Sequence, residues 1–314
     1  MILKNTILLF ICLINIVRAQ EHKREQGIAQ VENINVVPKE KQITYAIHIN
    51  AKTPYEIYLD DIPIERNYES GMNSTIELNQ YLLKNGKHKL KVCYLPRPDS
   101  VDGLLQPNHV YNSKYSKWNI YFLNYVKNKE KPLGYEGELD YQNNELLIVA
   151  PPEPVLFWEQ TFELNVDALP YELEGWSNGQ NLEDLNKDEL KKEVFKEYNK
   201  IRDLLNLGKV DEYISINKKK YLEMAVCLYI KDVNTYWSES VKKELISDCK
   251  GNMWPLSEEE YTMKIYGNGK LVKLERINQF KNRGLIAETE TDYWYYSFLL
   301  YKTIGSDTFE IIRK

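Results

Sequence analysis

From residue 42 onward, apolar side chains recur at every second position. Ile43-Thr44-Tyr45-Ala46-Ile47-His48-Ile49 and Tyr55-Glu56-Ile57-Tyr58-Leu59 alternate in this way, which is the period of a strand with one face buried. Asp60-Asp61 supplies a tight turn into Ile62-Pro63-Ile64, and segments 74–78, 87–94, 117–126, 145–149 and 155–166 repeat the pattern. Pro151-Pro152-Glu153-Pro154 breaks pairing before the last of these. Seven or eight short strands over roughly 125 residues predict an all-β sandwich. Segment 96–113, rich in Pro, Asn and Asp, is expected to be a long loop.

The period then changes. Leu169-Pro170 and Gly175-Trp176-Ser177-Asn178-Gly179 interrupt both periodicities, and beyond them Leu190, Val194, Phe195, Tyr198, Ile201, Leu204 and Leu205 fall on one helical stripe. Asn186 with Glu189 caps its start and Gly208 marks its end. A second helical stretch over 210–230, broken near Asn217, and a third over 237–248 follow. From Tyr261 the period returns to two. Four runs, YTMKIYGNGKLVKLERI, GLIAE, YWYYSFLLY and FEII, predict one antiparallel meander with turns at Gly267-Asn268-Gly269 and Gly305-Ser306-Asp307. The predicted organisation is a sandwich domain over 41–168, a linker over 169–180, and over 181–314 an α+β domain with three helices packed on a curved antiparallel sheet.

The third run carries the main functional expectation. Trp294, Tyr296, Phe298 and Leu300 share one face of a strand, and Tyr293, Tyr295, Ser297, Leu299 and Tyr301 share the other. A sheet open to water on one side alternates with polar residues, so helices are expected on one face and a tyrosine-lined concavity on the other. Tyr261 and Tyr266 are placed on neighbouring strands, and Glu288 and Glu290 at the strand edge, in a segment with three carboxylates that suits a cation or a cationic partner, the alternative being a solvated turn between two strands. The alternative is that these tyrosines fill the mouth of the fold or pack on the first domain. Trp176 and Trp254 are read as hinge or core residues.

Composition changes this picture mainly by direction of charge. The first nineteen residues have the basic start, short apolar run and small-residue end of a signal peptide, and 20–40 is polar and aperiodic, a flexible leader. Cleavage would remove Lys4 and Arg18 and no acid, taking the net charge from −5 to −7. The product is expected to be periplasmic or secreted, with no transmembrane segment and no nucleic-acid partner. Cys93, Cys227 and Cys249 remain. The last two, placed on antiparallel helices, would be offset by roughly 10 Å, too far for a bridge, so buried free thiols are expected.

All four histidines lie in the first 109 residues, none with metal-ligand spacing, and each reads as a surface residue. No nucleophile, phosphate-loop, dinucleotide or calcium-loop motif is present. No catalytic residue, metal or cofactor is therefore predicted. The Leu83-Lys84-Asn85-Gly86 corner leading into a strand resembles that of jelly-roll and immunoglobulin-like binding modules. The order of helices and sheet in the C-terminal half resembles the cone-shaped fold of the nuclear transport factor 2 superfamily; the catalytic dyad some members use cannot be carried over, since this half has no histidine. The expected function is a non-catalytic binding protein for another, basic protein, in a narrower form a periplasmic immunity or inhibitor protein against a toxin. The rival is a protein that binds a glycan or an apolar small molecule on the tyrosine face.

Overall fold

The computed structural model describes residues 37–68, 72–96, 118–128, 130, 134–149, 151–153, 155–278 and 280–313. The signal peptide, almost all of the leader and almost all of the predicted 96–113 loop lie outside the described residues. Among the described residues the protein is a mixed α+β structure, mostly sheet, with four α-helices.

The first half holds β1 (Ile43–Ala51), β2 (Tyr55–Leu59), β3 (Ile62–Asn67), β4 (Met72–Glu77), β5 (Gly86–Tyr94), β6 (Asn119–Val126) and β7 (Trp158–Val166). They form two antiparallel sheets, ordered β4-β1-β6 and β3-β2-β5-β7. Alternate residues of β1 (Tyr45, Ile47, Ile49), β2 (Tyr55, Ile57, Leu59) and β5 (Leu90, Val92, Tyr94) enter one core, as their period demands. Segment 145–149 does not become a strand. Glu145 makes an isolated bridge to Tyr121, and beyond it the Gln160 side chain replaces the ladder, accepting from the Val149 N–H (3.0 Å) and donating to the Leu147 carbonyl (2.9 Å).

His88 is not the surface residue expected. It is buried, with Nδ1 2.6 Å from Asp60 Oδ2 and Nε2 3.1 Å from the Lys84 carbonyl. Burial opposes its charged form, but the Asp60 carboxylate and the Lys84 carbonyl outweigh that and raise its pKa above the ordinary 6.5. A raised folded-state pKa adds stability that is fully present below the unfolded pKa and is lost as pH rises through the folded one. The stability gap between wild type and His88→Gln is therefore expected to be widest below the ordinary histidine pKa of about 6.5 and to shrink as pH rises above it. Urea unfolding on both sides of that pKa measures it; a gap that widens with pH contradicts it.

The second half opens with α1 (Lys187–Asn206), whose N-cap Asn186 accepts from the Asp188 and Glu189 N–H groups. All seven stripe residues are buried, each stabilising by roughly 1.5–3 kcal/mol for an aliphatic or phenyl side chain, and Gly208 ends the turn at φ +69°. α2 (Val210–Ile216) and α3 (Lys218–Cys227) are separated at Asn217, and α4 is Glu239–Cys249. Among the described residues no helix is long and apolar enough to cross a membrane. Cys93, Cys227 and Cys249 are buried and unbridged.

The predicted meander is corrected into two sheets. β8 (Tyr261–Tyr266), β9 (Leu271–Arg276), β12 (Leu299–Tyr301) and β13 (Glu310–Ile312) form one, ordered β13-β12-β9-β8; β10 (Leu285–Glu288) and β11 (Tyr293–Tyr296) form a separate ribbon. The run 293–301 divides at Ser297-Phe298 for two reasons. The Phe298 carbonyl accepts from the buried Tyr198 hydroxyl at 2.6 Å, and Gly284 approaches so closely that an added Cβ would lie 2.3 Å from the Tyr296 carbonyl oxygen.

Both faces of the four-stranded sheet are covered. Val272, Leu274, Leu300 and Ile311 pack with α1, whereas Tyr266, Leu271, Leu299, Tyr301 and Ile312 join the core of the sandwich. The face expected to be a concavity is thus occupied by the first half of the chain. Charge crosses the same contact: Arg66 on β3 lies 2.8 Å from Glu275 on β9, and Lys273 lies 3.2 Å from the same carboxylate.

Candidate functional site

The ribbon β10–β11 forms a sheet of its own and keeps three of its four aromatic residues exposed, the fourth, Tyr296, packing against the core around α1. Tyr293, Trp294 and Tyr295 are 41%, 44% and 37% exposed, on a strand whose alternation puts the two tyrosines on one face and the tryptophan on the other. Two residues from elsewhere complete the tyrosine face. Phe280 lies 4.8 Å from the Tyr293 ring and 5.5 Å from the Tyr295 ring, and Trp254 lies 6.1 Å from Tyr293 and 5.9 Å from Phe280. Arg283 sits over Tyr295 at 4.8 Å and Arg276 over Trp254 at 5.1 Å, both within cation–π range.

Local structure holds this ledge in place. Phe280 has φ +59°, a left-handed conformation that costs an L residue roughly 1–2 kcal/mol. It persists because the loop is clamped: Arg276 N–H donates to the Arg283 carbonyl (2.9 Å), and Asn282 and Arg283 N–H groups donate to Arg276 and Phe280 carbonyls (2.8 and 3.0 Å). The clamp turns the phenyl ring onto the tyrosines. Glu288 is fixed as well, accepting from Trp254 Nε1 at 2.7 Å and from the Tyr293 hydroxyl at 3.0 Å. That carboxylate raises the Tyr293 pKa by hydrogen bond and charge, so the phenol keeps its proton.

Beside the ledge, Ser247, Asn252, Glu288, Thr289, Glu290 and Thr291 line a shallow open cleft. On its helical side, Asp248 has its pKa raised by partial burial and by Glu244 and Asp292, which marks an excess of negative charge there. Among the described residues no cluster of three or more histidine, cysteine, aspartate or glutamate side chains is placed to hold a metal ion.

Of the residues singled out in the sequence, Tyr293, Tyr295, Glu288 and Glu290 come together here. Tyr261, Tyr266 and Tyr301 do not, which corrects the single tyrosine-lined face. Tyr261 is buried against α1, donating to the Gly284 carbonyl (3.1 Å) and accepting from Arg276 (3.3 Å). Tyr266 is buried against the sandwich and accepts from Arg66 (2.7 Å). Tyr301 is fully buried, bonded to Lys219 and, at 3.2 Å, to Glu310. Burial raises the pKa of all three phenols. Sequence reasoning missed Phe280, and it read Trp254 as hinge or core; the available signal for Phe280 was a lone aromatic ring in an otherwise polar loop.

A smaller aromatic group lies on the outer face of β4-β1-β6, where His48, Tyr121 and Tyr141 meet at 5.1–6.1 Å between ring centroids. His48 and Tyr121 there are only partly exposed. No protein-family model, no curated protein and no solved structure matches this chain.

Proposed function

We propose that this protein binds another protein through the aromatic ledge of the β10–β11 ribbon. The observation that carries the reading is a contiguous aromatic group in which exposed Tyr293 and Tyr295 are flanked by half-buried Trp254 and Phe280, continued by exposed Trp294 on the opposite face. Tyrosine and tryptophan offer large contact area at small entropic cost and are the usual anchors of protein interfaces. The ring planes meet at 48–89°, forming a ridged surface that suits side chains better than the flat face of a sugar. The adjoining cleft is polar and open, which disfavours an apolar small molecule.

The wider proposal is a non-catalytic, exported protein of the periplasm or extracellular space. It divides at 169–180 into a sandwich domain and an α+β domain, the first serving to brace the sheet beside the ribbon. The narrower one is an immunity or inhibitor protein for a basic toxin, consistent with the net charge of −5.

The Tyr293→Ala/Tyr295→Ala double variant tests it. Both side chains are exposed and outside the two core clusters, so the fold is expected to survive with a melting midpoint within a few degrees of wild type. Capture of a partner from the native compartment is expected to weaken at least about a hundredfold, as for two truncated hot-spot residues. Unchanged capture by a folded double variant contradicts the reading.

A further inference from the structure

The ribbon has a second property that its side chains do not reveal. On the outer side of β10, the Trp254 N–H donates to the Ile286 carbonyl (2.9 Å) and the Glu288 N–H donates to the Asn252 carbonyl (3.0 Å). The main-chain groups of Ile286 and Glu288 therefore point away from β11. Those of Leu285 and Ala287 point toward it, and their partners are Tyr296 and Trp294. Antiparallel ladders alternate. The N–H and C=O groups of Tyr293 and Tyr295 must then point outward from β11, where no strand pairs with them among the described residues.

Several other edge strands carry the usual guards against pairing, and β6, which has neither proline nor charge, is instead covered along its outer side by isolated bridges to Glu145 and Tyr135. β3 contains Pro63, β7 has Glu159 and Glu163, and β8 has Lys264. β11 is Tyr-Trp-Tyr-Tyr. It has no proline or charge, and its register with β10 is continuous, without a bulge. The ends of the edge differ in charge: Arg283 already covers Tyr295 at one end, while Glu288, Glu290 and Asp292 lie at the tip, next to Tyr293, with Asp248 and Glu244 of α4 adding to the negative field. A bound segment is thus offered main-chain partners along β11 and a negative, aromatic seat at the tip.

Building on the proposed function, we infer that the open edge of β11 receives an extended, lysine- or arginine-bearing segment of a partner protein as a third strand, its cationic side chain directed at the hydrogen-bonded Tyr293–Glu288 pair. Strand addition supplies affinity through main-chain hydrogen bonds, and the alternating side chains supply selectivity.

The probe is a synthetic peptide of alternating lysine and valine, titrated into the full exported chain and followed by tryptophan fluorescence. Three controls accompany it: glutamate in place of lysine, and N-methylation of the peptide backbone at odd or at even positions. Saturable binding is expected. Only one methylation set should remove it, because only alternate N–H groups face β11. Glu288→Gln should weaken it about tenfold, as should a rise to about 0.5 M salt. Absence of saturable binding, equal tolerance of both methylated sets, or equal binding of the glutamate peptide overturns the inference. If the peptide fails while Tyr293→Ala/Tyr295→Ala still abolishes partner capture, the aromatic interface stands and only the strand-addition mode falls. If capture is also unaffected, both fall.

Discussion

Glu275→Ala is expected to lower the stability of the folded chain by about 3–5 kcal/mol, the penalty for opening a buried ion pair from one side. Glu275 is 1% exposed and accepts from Arg66 at 2.8 Å, and Lys273 lies 3.2 Å away. Burial alone would make the Arg66 guanidinium harder to charge; Glu275 outweighs that and keeps it firmly protonated. Removing the carboxylate takes the shared anion from Arg66 and Lys273 and leaves Arg66 with the more distant Glu56, 3.6 Å away. Since the contact joins the two halves of the chain, the loss should appear as a lower urea midpoint for both halves together. Glu163→Ala opens the solvent-exposed Lys87–Glu163 pair at 2.8 Å and should leave that midpoint unchanged, because exposed pairs contribute little. Equal effects from the two substitutions would show that burial does not decide the strength of these pairs.

Tyr198→Ala should cost a similar amount, about 3–5 kcal/mol, for a large aromatic side chain removed from a packed core. Tyr198 is fully buried on α1, meets Phe298 edge-on at 6.1 Å and donates to its carbonyl at 2.6 Å. Tyr198→Phe keeps the ring and loses the hydrogen bond, leaving a buried carbonyl unsatisfied, so about 1–3 kcal/mol is expected. The hydroxyl holds the point where β11 leaves the line of β12. Hydrogen exchange in Tyr198→Phe should therefore rise first at residues 296–299; a uniform rise along α1 would contradict this role.

The same junction shows where sequence reasoning stops. Apart from segment 145–149, where the Gln160 side chain takes the place of a ladder, the strands of the first half and α1 were legible, because alternation, an amphipathic stripe and an Asn186 cap are local properties. The division of residues 293–301 was not legible. It depends on a hydroxyl about a hundred residues upstream and on the close approach of Gly284, neither of which leaves a local pattern. Likewise, apolar side chains on both faces of the 293–301 run do not say which part is covered or by what: Tyr293, Trp294 and Tyr295 stay exposed, whereas both faces of β12 are buried. The helices cover one, and the sandwich covers the other through Tyr266, Leu299 and Tyr301.

The candidate site was half legible for the same reason. Tyr261, Tyr266 and Tyr301 are the same residue type as Tyr293 and Tyr295 and share their strand context. Their fates separate only through Arg276, Arg66 and Lys219, which reach them from other elements. The exposed pair differs in lying on a ribbon that the sheet has released. That release brings Trp254 and Phe280 to its flank.

Site-specific photo-crosslinking tests the account most directly. A benzophenone amino acid placed at Trp294, 44% exposed on the ribbon, is compared with one at Ile304, 75% exposed in the turn before β13. The full-length chain is expressed in its native host. A discrete covalent adduct with one other protein is predicted at 294 only, and it should vanish in the Tyr293→Ala/Tyr295→Ala background. No adduct at 294, or the same products from both positions, would contradict a protein-binding ribbon.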